Sequence, residues 1–168
     1  LTEILNNAKE SPKGVHLEEA SSKTYATYFH SDTRTTGVVL QALMRGELAT
    51  QVIADGPYNV AIDGHVSGKG RVRHREFEMA SGEMSVDQFT DFNREWLSGV
   101  RSVTSAAARI YAFMDGVHLG ELLNGARQAG LDLQCVCAWA KTNAGMGSLY
   151  RSQVEHVAVF KSGEAAHI

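Results

Sequence analysis

The sequence contains no long apolar run and no recognisable export signal. Nowhere in the 168 residues does an unbroken apolar stretch approach the roughly 20 residues that a membrane span needs. Residues 1–9 also lack a basic segment followed by an apolar core and a small-residue cleavage site. We therefore expect a soluble protein of the cytoplasm.

Cysteine is scarce, because the chain contains only Cys135 and Cys137. Residues two apart in a strand face the same side, which is a poor geometry for a disulfide between them. A metal site would need more ligands, and the sequence has no third cysteine to supply one. We expect both cysteines to be small, buried core residues.

Several catalytic signatures are missing as well. The sequence has no Gly-x-Ser-x-Gly, no phosphate-loop signature and no paired-histidine metal motif. These absences argue against a hydrolase, a nucleoside triphosphatase and a zinc enzyme. The formal net charge of -3 gives no overall basic character, so any contact with nucleic acid must rest on local basic residues.

The chain is long enough for one compact domain, with 43% hydrophobic residues, and too short for two. Residues 1–36 are polar and rich in Ser and Thr, so we interpret them as a lead-in or arm with one short strand from Thr24 to His30. Residues 37–168 would form the folded domain. Within it, residues 61–84 are Gly-rich and basic, which predicts a long loop of the functional or disordered kind.

Hydrophobic periodicity predicts alternating helices and strands in the folded domain. The predicted order is a short helix ending at Gly46, a strand at 51–54, a helix that starts at the Ser85 capping box, a strand at 109–114, a helix stopping near Gly130, and strands at 133–139 and 154–160. This order indicates an α/β fold with a mostly parallel sheet and a C-terminal antiparallel hairpin. In such sheets, ligands bind beyond the carboxyl ends of the strands.

The segment Asp55-Gly56-Pro57-Tyr58 follows the first strand of this domain. It resembles the Asp-Pro-Pro-Tyr motif of DNA methyltransferases that modify the exocyclic amino group of adenine or cytosine. Residues 59–68 and 139–153 resemble the corresponding family segments, so the match extends from about residue 40 to 164. The resemblance implies a Rossmann-type sheet, DNA as the substrate, S-adenosylmethionine as the cofactor, and a bacterial or phage enzyme of the restriction-modification type.

The family also implies roles for the four motif residues. The Asp55 carboxylate and the Gly56 carbonyl would accept the two amino hydrogens, Tyr58 would stack on the flipped base, and Pro57 completes the motif. Gly56 departs from the family, which has proline there. Glycine keeps the carbonyl but loses the fixed backbone angle, which loosens the site by about 1 kcal/mol. The alternative interpretation is an ordinary Asp-Gly-Pro turn.

The glycine-rich turn that holds S-adenosylmethionine in the family is not recognisable in this sequence, and neither is the acidic residue for the ribose. The resemblance therefore implies the target-base half of a truncated or split enzyme. The strand before Asp55 would be an exposed edge, to be covered by residues 1–36, a second copy or a separate partner chain. The alternative function is a non-catalytic remnant that binds nucleic acid or a protein.

Basic side chains cluster in the predicted long loop, at Lys69, Arg71, Arg73, His74 and Arg75. They are suited to contact phosphates around the flipped nucleotide. The alternative is a solvated loop whose charges balance nearby glutamates.

A second candidate DNA contact is formed by Lys141, Tyr150 and Arg151, which flank the Gly-rich turn at 145–147. Tyr150 is available for stacking there. The alternative is an ordinary hairpin connection. We also expect Glu155 to pair with Arg151.

Asp115 and His118 follow a predicted strand. They are placed to orient a substrate, or Asp115 caps the following helix. Trp96 and Trp139 are expected in the core.

Overall fold

The computed structural model describes residues 40–61, 79–143 and 149–163, together with two strands nearer the N-terminus. Six strands in these parts form one sheet: β1 (His16–Ala20), β2 (Thr24–Tyr28), β3 (Ala49–Asp55), β4 (Thr104–Met114), β5 (Asp132–Ala140) and β6 (Val154–Lys161). The helical segments are α1 (residues 40–44), α2 (Val86–Ser102) and α3 (Leu119–Gln128). None of the described helices is long and apolar enough to span a membrane.

The strand order is β1-β2-β3-β4-β6-β5. The α/β class and the C-terminal antiparallel hairpin are confirmed, but the mostly parallel pairing is wrong. Only β2–β3 and β3–β4 pair in parallel, whereas β1–β2, β4–β6 and β6–β5 pair antiparallel. The reason is that β6 lies between β4 and β5 and runs against both, so β5 points the same way as β4 without touching it.

Residues of the N-terminal segment cover the edge of β3. β2 pairs with β3 in parallel, with Thr24 opposite Gln51 and Thr27 opposite Ala54, and β1 pairs with β2. Of the three candidates for covering this edge, the described strands therefore favour residues 1–36. The boundary of that segment at residue 36 stays a prediction.

One face of the sheet packs against the helices. Its buried side chains occupy alternate positions on three strands: Val52, Ala54, Ile110, Ala112, Met114, Ala158 and Phe160. All three helical segments contribute to the same core, with Leu40 and Met44 from α1, Phe89, Trp96 and Leu97 from α2, and Leu122 and Ala126 from α3. Trp96 is 4% exposed, so its predicted core position is confirmed. The opposite face carries half-buried and exposed side chains, among them Ile53, Tyr111, Phe113 and Val157.

Local sequence signals set the helix ends. Ser85 Oγ accepts from the Gln88 amide at 3.3 Å, and the Gln88 side chain accepts from the Ser85 amide at 2.9 Å, which completes the predicted capping box. Gly46 and Gly130 follow α1 and α3 at φ +85 and +75, angles that favour glycine.

The two long helices approach each other closely at Gly125. A Cβ placed on Gly125 would lie 2.7 Å from the Arg94 nitrogen and 2.8 Å from the Thr90 carbonyl oxygen. Since those neighbours are backbone atoms of α2, they cannot move aside cheaply. Glycine at this position therefore sets how closely α3 packs on α2.

The expected burial of Trp139, Cys135 and Cys137 is wrong. Trp139 is 52% exposed, and both cysteines are exposed. The reason is the position of β5, which is the outer strand of the sheet and is exposed over all nine of its residues.

Candidate functional site

Four strands of the described sheet bring their carboxyl ends to one edge, because β2 runs parallel to β3 and ends beside it. β3 ends at Asp55, β4 ends just before Asp115, and β5 ends just before Lys141. The antiparallel β6 begins at this same edge, where Trp139 is paired with Glu155. The structure thus brings the motif, Asp115 and the loop after β5 to one edge, as the strand pattern predicts.

The first and last residues of the motif are joined by a hydrogen bond. The Tyr58 hydroxyl donates to Oδ1 of Asp55 at 2.7 Å. Partial burial raises the pKa of the Asp55 carboxyl, the bond from Tyr58 lowers it, Glu155 raises it and Lys141 lowers it, with a net upward shift. Burial and the neighbouring Asp55 carboxylate also raise the pKa of Tyr58 well above its usual range. Tyr58 therefore remains a hydrogen-bond donor and Asp55 its acceptor.

Gly56 has no structural need to be glycine. Its φ is not in the left-handed region, and a Cβ built on it meets nothing within 4 Å. The following Pro57 is buried. A side chain at position 56 is therefore sterically admissible.

Asn59 positions the motif and was not predicted from the sequence. It is 8% exposed, and its side-chain amide donates to the Met84 carbonyl at 2.9 Å. Its Oδ1 accepts from the amides of Gly82 and Met84 at 3.1 and 3.2 Å. These bonds tie the end of the motif to the turn that leads into α2. The available sequence signal is that asparagine tolerates a left-handed backbone, and Asn59 has φ +56.

An ion pair lies beside the motif. Lys141 Nζ contacts Glu155 Oε1 at 2.5 Å, and both side chains are half-buried. The predicted pair of Glu155 with Arg151 is wrong, because Lys141 occupies that carboxylate instead. The charges of Lys141 and Glu155 act on Asp55 in opposite directions, as its pKa shows.

Two aromatic side chains extend the site along the open face of the sheet. The rings of Phe113 and Trp139 meet edge to face with centroids 5.6 Å apart. Phe113 is the register partner of Asp55, so the pair lies next to the motif. Tyr150 and Arg151, in the loop between β5 and β6, are both exposed.

Asp115 organises the turn between β4 and α3. Its Oδ1 accepts from the amides of Val117 and His118 at 3.0 and 2.7 Å and lies 3.1 Å from the His118 Nδ1. The N-cap residue of α3 is His118, whose side chain makes no capping bond. Contrary to our expectation, Asp115 is therefore not the N-cap residue of α3; its carboxylate instead accepts from the amide of the N-cap residue His118 and from that of Val117 just before it.

The basic residues predicted to contact phosphates, Lys69, Arg71, Arg73, His74 and Arg75, lie outside the described residues, and so does the turn at 145–147. Their roles stay predictions. In the parts of the chain that are described, no group of three or more His, Cys, Asp and Glu side chains is arranged to hold a metal ion.

Comparison with known proteins identifies the class of fold. No protein-family profile and no curated protein sequence matches the chain significantly. Solved structures do match, DNA methyltransferases among them, so the chain has a methyltransferase fold.

Two of these structures are of M1.HpyAVI, and a third is of a putative DNA modification methylase of Thermus thermophilus. The M1.HpyAVI complex with S-adenosylmethionine has a TM-score of 0.51 at 12% identity, covering 84% of this chain and 56% of that chain. The second M1.HpyAVI structure has a TM-score of 0.50 at 12% identity and covers 83% of this chain and 57% of its own. The Thermus protein, TTHA0409, has a TM-score of 0.50 at 14% identity, and the match covers 79% of this chain and 52% of that chain. The chain thus spans little more than half the length of these proteins.

Proposed function

We propose that this chain is a DNA methyltransferase-like domain that acts on the exocyclic amino group of adenine or cytosine and supplies the target-base half of the site. The observation that carries the proposal is the hydrogen bond between Tyr58 and Asp55 at the carboxyl end of β3. It places a carboxylate and an aromatic ring together, in a fold shared with DNA methyltransferases.

The chemistry requires acceptors for the amino hydrogens. The lone pair of an aromatic amino group is delocalised into the ring, so the nitrogen is a poor nucleophile. Hydrogen bonds from both amino hydrogens, to the Asp55 carboxylate and the Gly56 carbonyl, draw the nitrogen towards tetrahedral geometry and localise the lone pair. A carboxylate has about four lone-pair sites, so the bond from Tyr58 leaves capacity for the base.

Asp55 is also suited to receive a proton. When the amino nitrogen gains a methyl group, it must lose one of its hydrogens as a proton. The raised pKa of Asp55 makes its carboxylate a better proton acceptor than an exposed aspartate. Asp55 would therefore both orient the amino group and take up the proton.

The methyl donor implied by the fold is S-adenosylmethionine, which would supply the methyl group when bound. Among the described residues, the turns after β3 and β4 are the motif itself and the Asp115 turn. Neither is a glycine-rich turn that could cradle this donor. The described residues thus fit the target base and do not include a donor site.

The DNA backbone would contact the basic residues near the site. Tyr150 and Arg151 are exposed in the loop between β5 and β6, and the cluster at residues 69–75 would contribute further positive charge. Lys141 is already paired with Glu155, so it would hold the carboxylates in place as well as face the DNA.

The test is methyl transfer from labelled S-adenosylmethionine to DNA, with the chain alone and with candidate partner chains. Asp55→Ala should lower turnover by about 100-fold or more, since preorganised polar groups contribute that much. Asp91→Ala, on an exposed position of α2, is the matched control and should leave turnover unchanged. Full activity of Asp55→Ala would show that the site is misassigned.

A non-catalytic remnant that binds nucleic acid or protein is the second candidate. It is favoured by the lack of a donor-binding turn among the described residues and by Gly56 in the motif. Calorimetry with S-adenosylmethionine separates the two candidates. DNA binding without donor binding, in every assembly tested, would support the remnant.

A further inference from the structure

Cys135 and Cys137 lie side by side on the outer strand of the sheet. Their sulfur atoms are 4.0 Å apart, and both cysteines are free and exposed. They project from the same face of β5 because one residue separates them. Neither belongs to the hydrophobic core or to the site around Asp55.

We propose that these two thiols form a bidentate site for a soft, thiophilic cation of the Cu(I) class. Thiolates select soft ions over hard ones. With metal–sulfur bonds of about 2.3 Å, sulfur atoms at the observed separation of 4.0 Å subtend an angle of about 120° at the metal. The two side chains can therefore bind one ion without movement of the backbone. This angle suits trigonal coordination, with a third ligand from solution.

Zinc fits this site less well. Structural zinc sites are almost always closed by four protein ligands, and the described residues contain no group of three or more ligating side chains. A disulfide is not the resting state either, because 4.0 Å is about twice the sulfur–sulfur bond length. A cation that is satisfied by two thiolates and one external ligand matches the geometry better.

The cross-strand neighbours of the two thiols are apolar. Their register partners on β6 are Val159 for Cys135 and Val157 for Cys137. A thiol gives up its proton to solvent when its sulfur binds a metal ion, so binding should strengthen as the pH rises.

The test is an anaerobic titration of the 168-residue chain with Cu(I), in competition with a chromogenic chelator of known affinity. The wild-type chain should bind one ion per chain and show a sulfur-to-copper charge-transfer band. Cys135→Ser and Cys137→Ser should each weaken binding by at least about 100-fold, because each removes the chelate effect. Zn(II) in the same assay should bind more weakly than Cu(I).

Either single variant with wild-type affinity would overturn the proposal, because the two thiols would then act separately. A stoichiometry of one ion per two chains would also overturn it, since the ion would bridge copies. Far-UV circular dichroism of both variants checks that these exposed substitutions leave the fold intact.

Discussion

The Tyr58 hydroxyl donates a hydrogen bond to the carboxylate of Asp55, three residues earlier in the chain. The bond closes the motif into one unit, so the orientation of the ring and the protonation of the carboxyl depend on each other. This hydrogen bond lowers the pKa of Asp55, whereas the burial of the carboxyl raises it.

Tyr58→Phe should therefore raise the pKa of Asp55 further. The substitution keeps the ring and removes the hydroxyl that stabilises the ionised carboxylate. Carbon-13 NMR titration of the Asp55 carboxyl measures the change. Tyr150→Phe, on a side chain 83% exposed, is the control and should leave that pKa unchanged. Equal titration curves for Tyr58→Phe and wild type would refute the coupling.

Asp55→Asn should change how stability depends on pH. Because the folded pKa of Asp55 is raised, the folded state holds this proton more tightly than the unfolded state. Its contribution to stability is present below the unfolded pKa and is lost as the pH rises through the folded pKa. The asparagine variant should therefore gain stability relative to wild type between about pH 3 and pH 7.

Urea unfolding at both pH values measures this difference. Asp91→Asn, at an exposed position on α2, is the control and should show no comparable gain. If the free energies of unfolding of Asp55→Asn and wild type changed equally with pH, desolvation would not be the main influence on the pKa of Asp55.

Gly56→Pro should stabilise the protein by about 0.4–1 kcal/mol, because proline restricts the unfolded chain. The Cβ position is open, and φ is outside the left-handed region. In an active assembly, the tighter motif should also raise turnover. Thermal unfolding and methyl transfer measure the two effects, and Gly56→Ala serves as the intermediate control. A large loss of stability in the proline variant alone would mean that the backbone at position 56 does not suit proline.

Gly125→Ala should destabilise the protein by about 1–3 kcal/mol, the usual cost of overpacking. The added methyl group would meet backbone atoms of α2 at 2.7 and 2.8 Å. Gly120→Ala, in the same helix with nothing within 4 Å, should instead stabilise by roughly 0.5–1 kcal/mol. Chemical unfolding should therefore show changes of opposite sign in the free energy of unfolding of the two variants. Equal changes would contradict the close approach of the helices.

Replacing Arg71, Arg73 and Arg75 together with Ala should weaken DNA binding for all sequences alike. If each arginine contacts one phosphate, the slope of log affinity against log salt should flatten by about 2–3. Fluorescence anisotropy over a salt series measures it, with Arg127→Ala on α3 as the control. An unchanged slope would mean that the loop is merely solvated.

The sequence predicts those parts of the fold that depend on local chemistry. The start of α2 follows from Ser85 and Gln88, which bond each other's backbone, and the ends of α1 and α3 follow from Gly46 and Gly130. The position of Asp55 at a strand end also follows from a short apolar run before a turn. All of these signals lie within a few residues of the feature they determine.

Features that depend on distant partners could not be predicted this way. The insertion of β6 between β4 and β5 is a long-range pairing that leaves no local trace. The apolar sequence of β5 is compatible with either a central or an outer strand. The sequence therefore wrongly predicts Trp139 and Cys135 in the core. The bonds of Asn59 to the turn before α2 span more than 20 residues of chain.

The place of β6 in the sheet also determines the order in which the protein can fold during synthesis. In the described part of the chain, β5 hydrogen-bonds only to β6, which leaves the ribosome after it. Until residues 154–161 have emerged, β5 and one side of β4 are unpaired in the nascent chain. Unpaired strand edges are the templates on which incomplete chains associate. The last described strand therefore pairs with β4 and with β5 in a single late event.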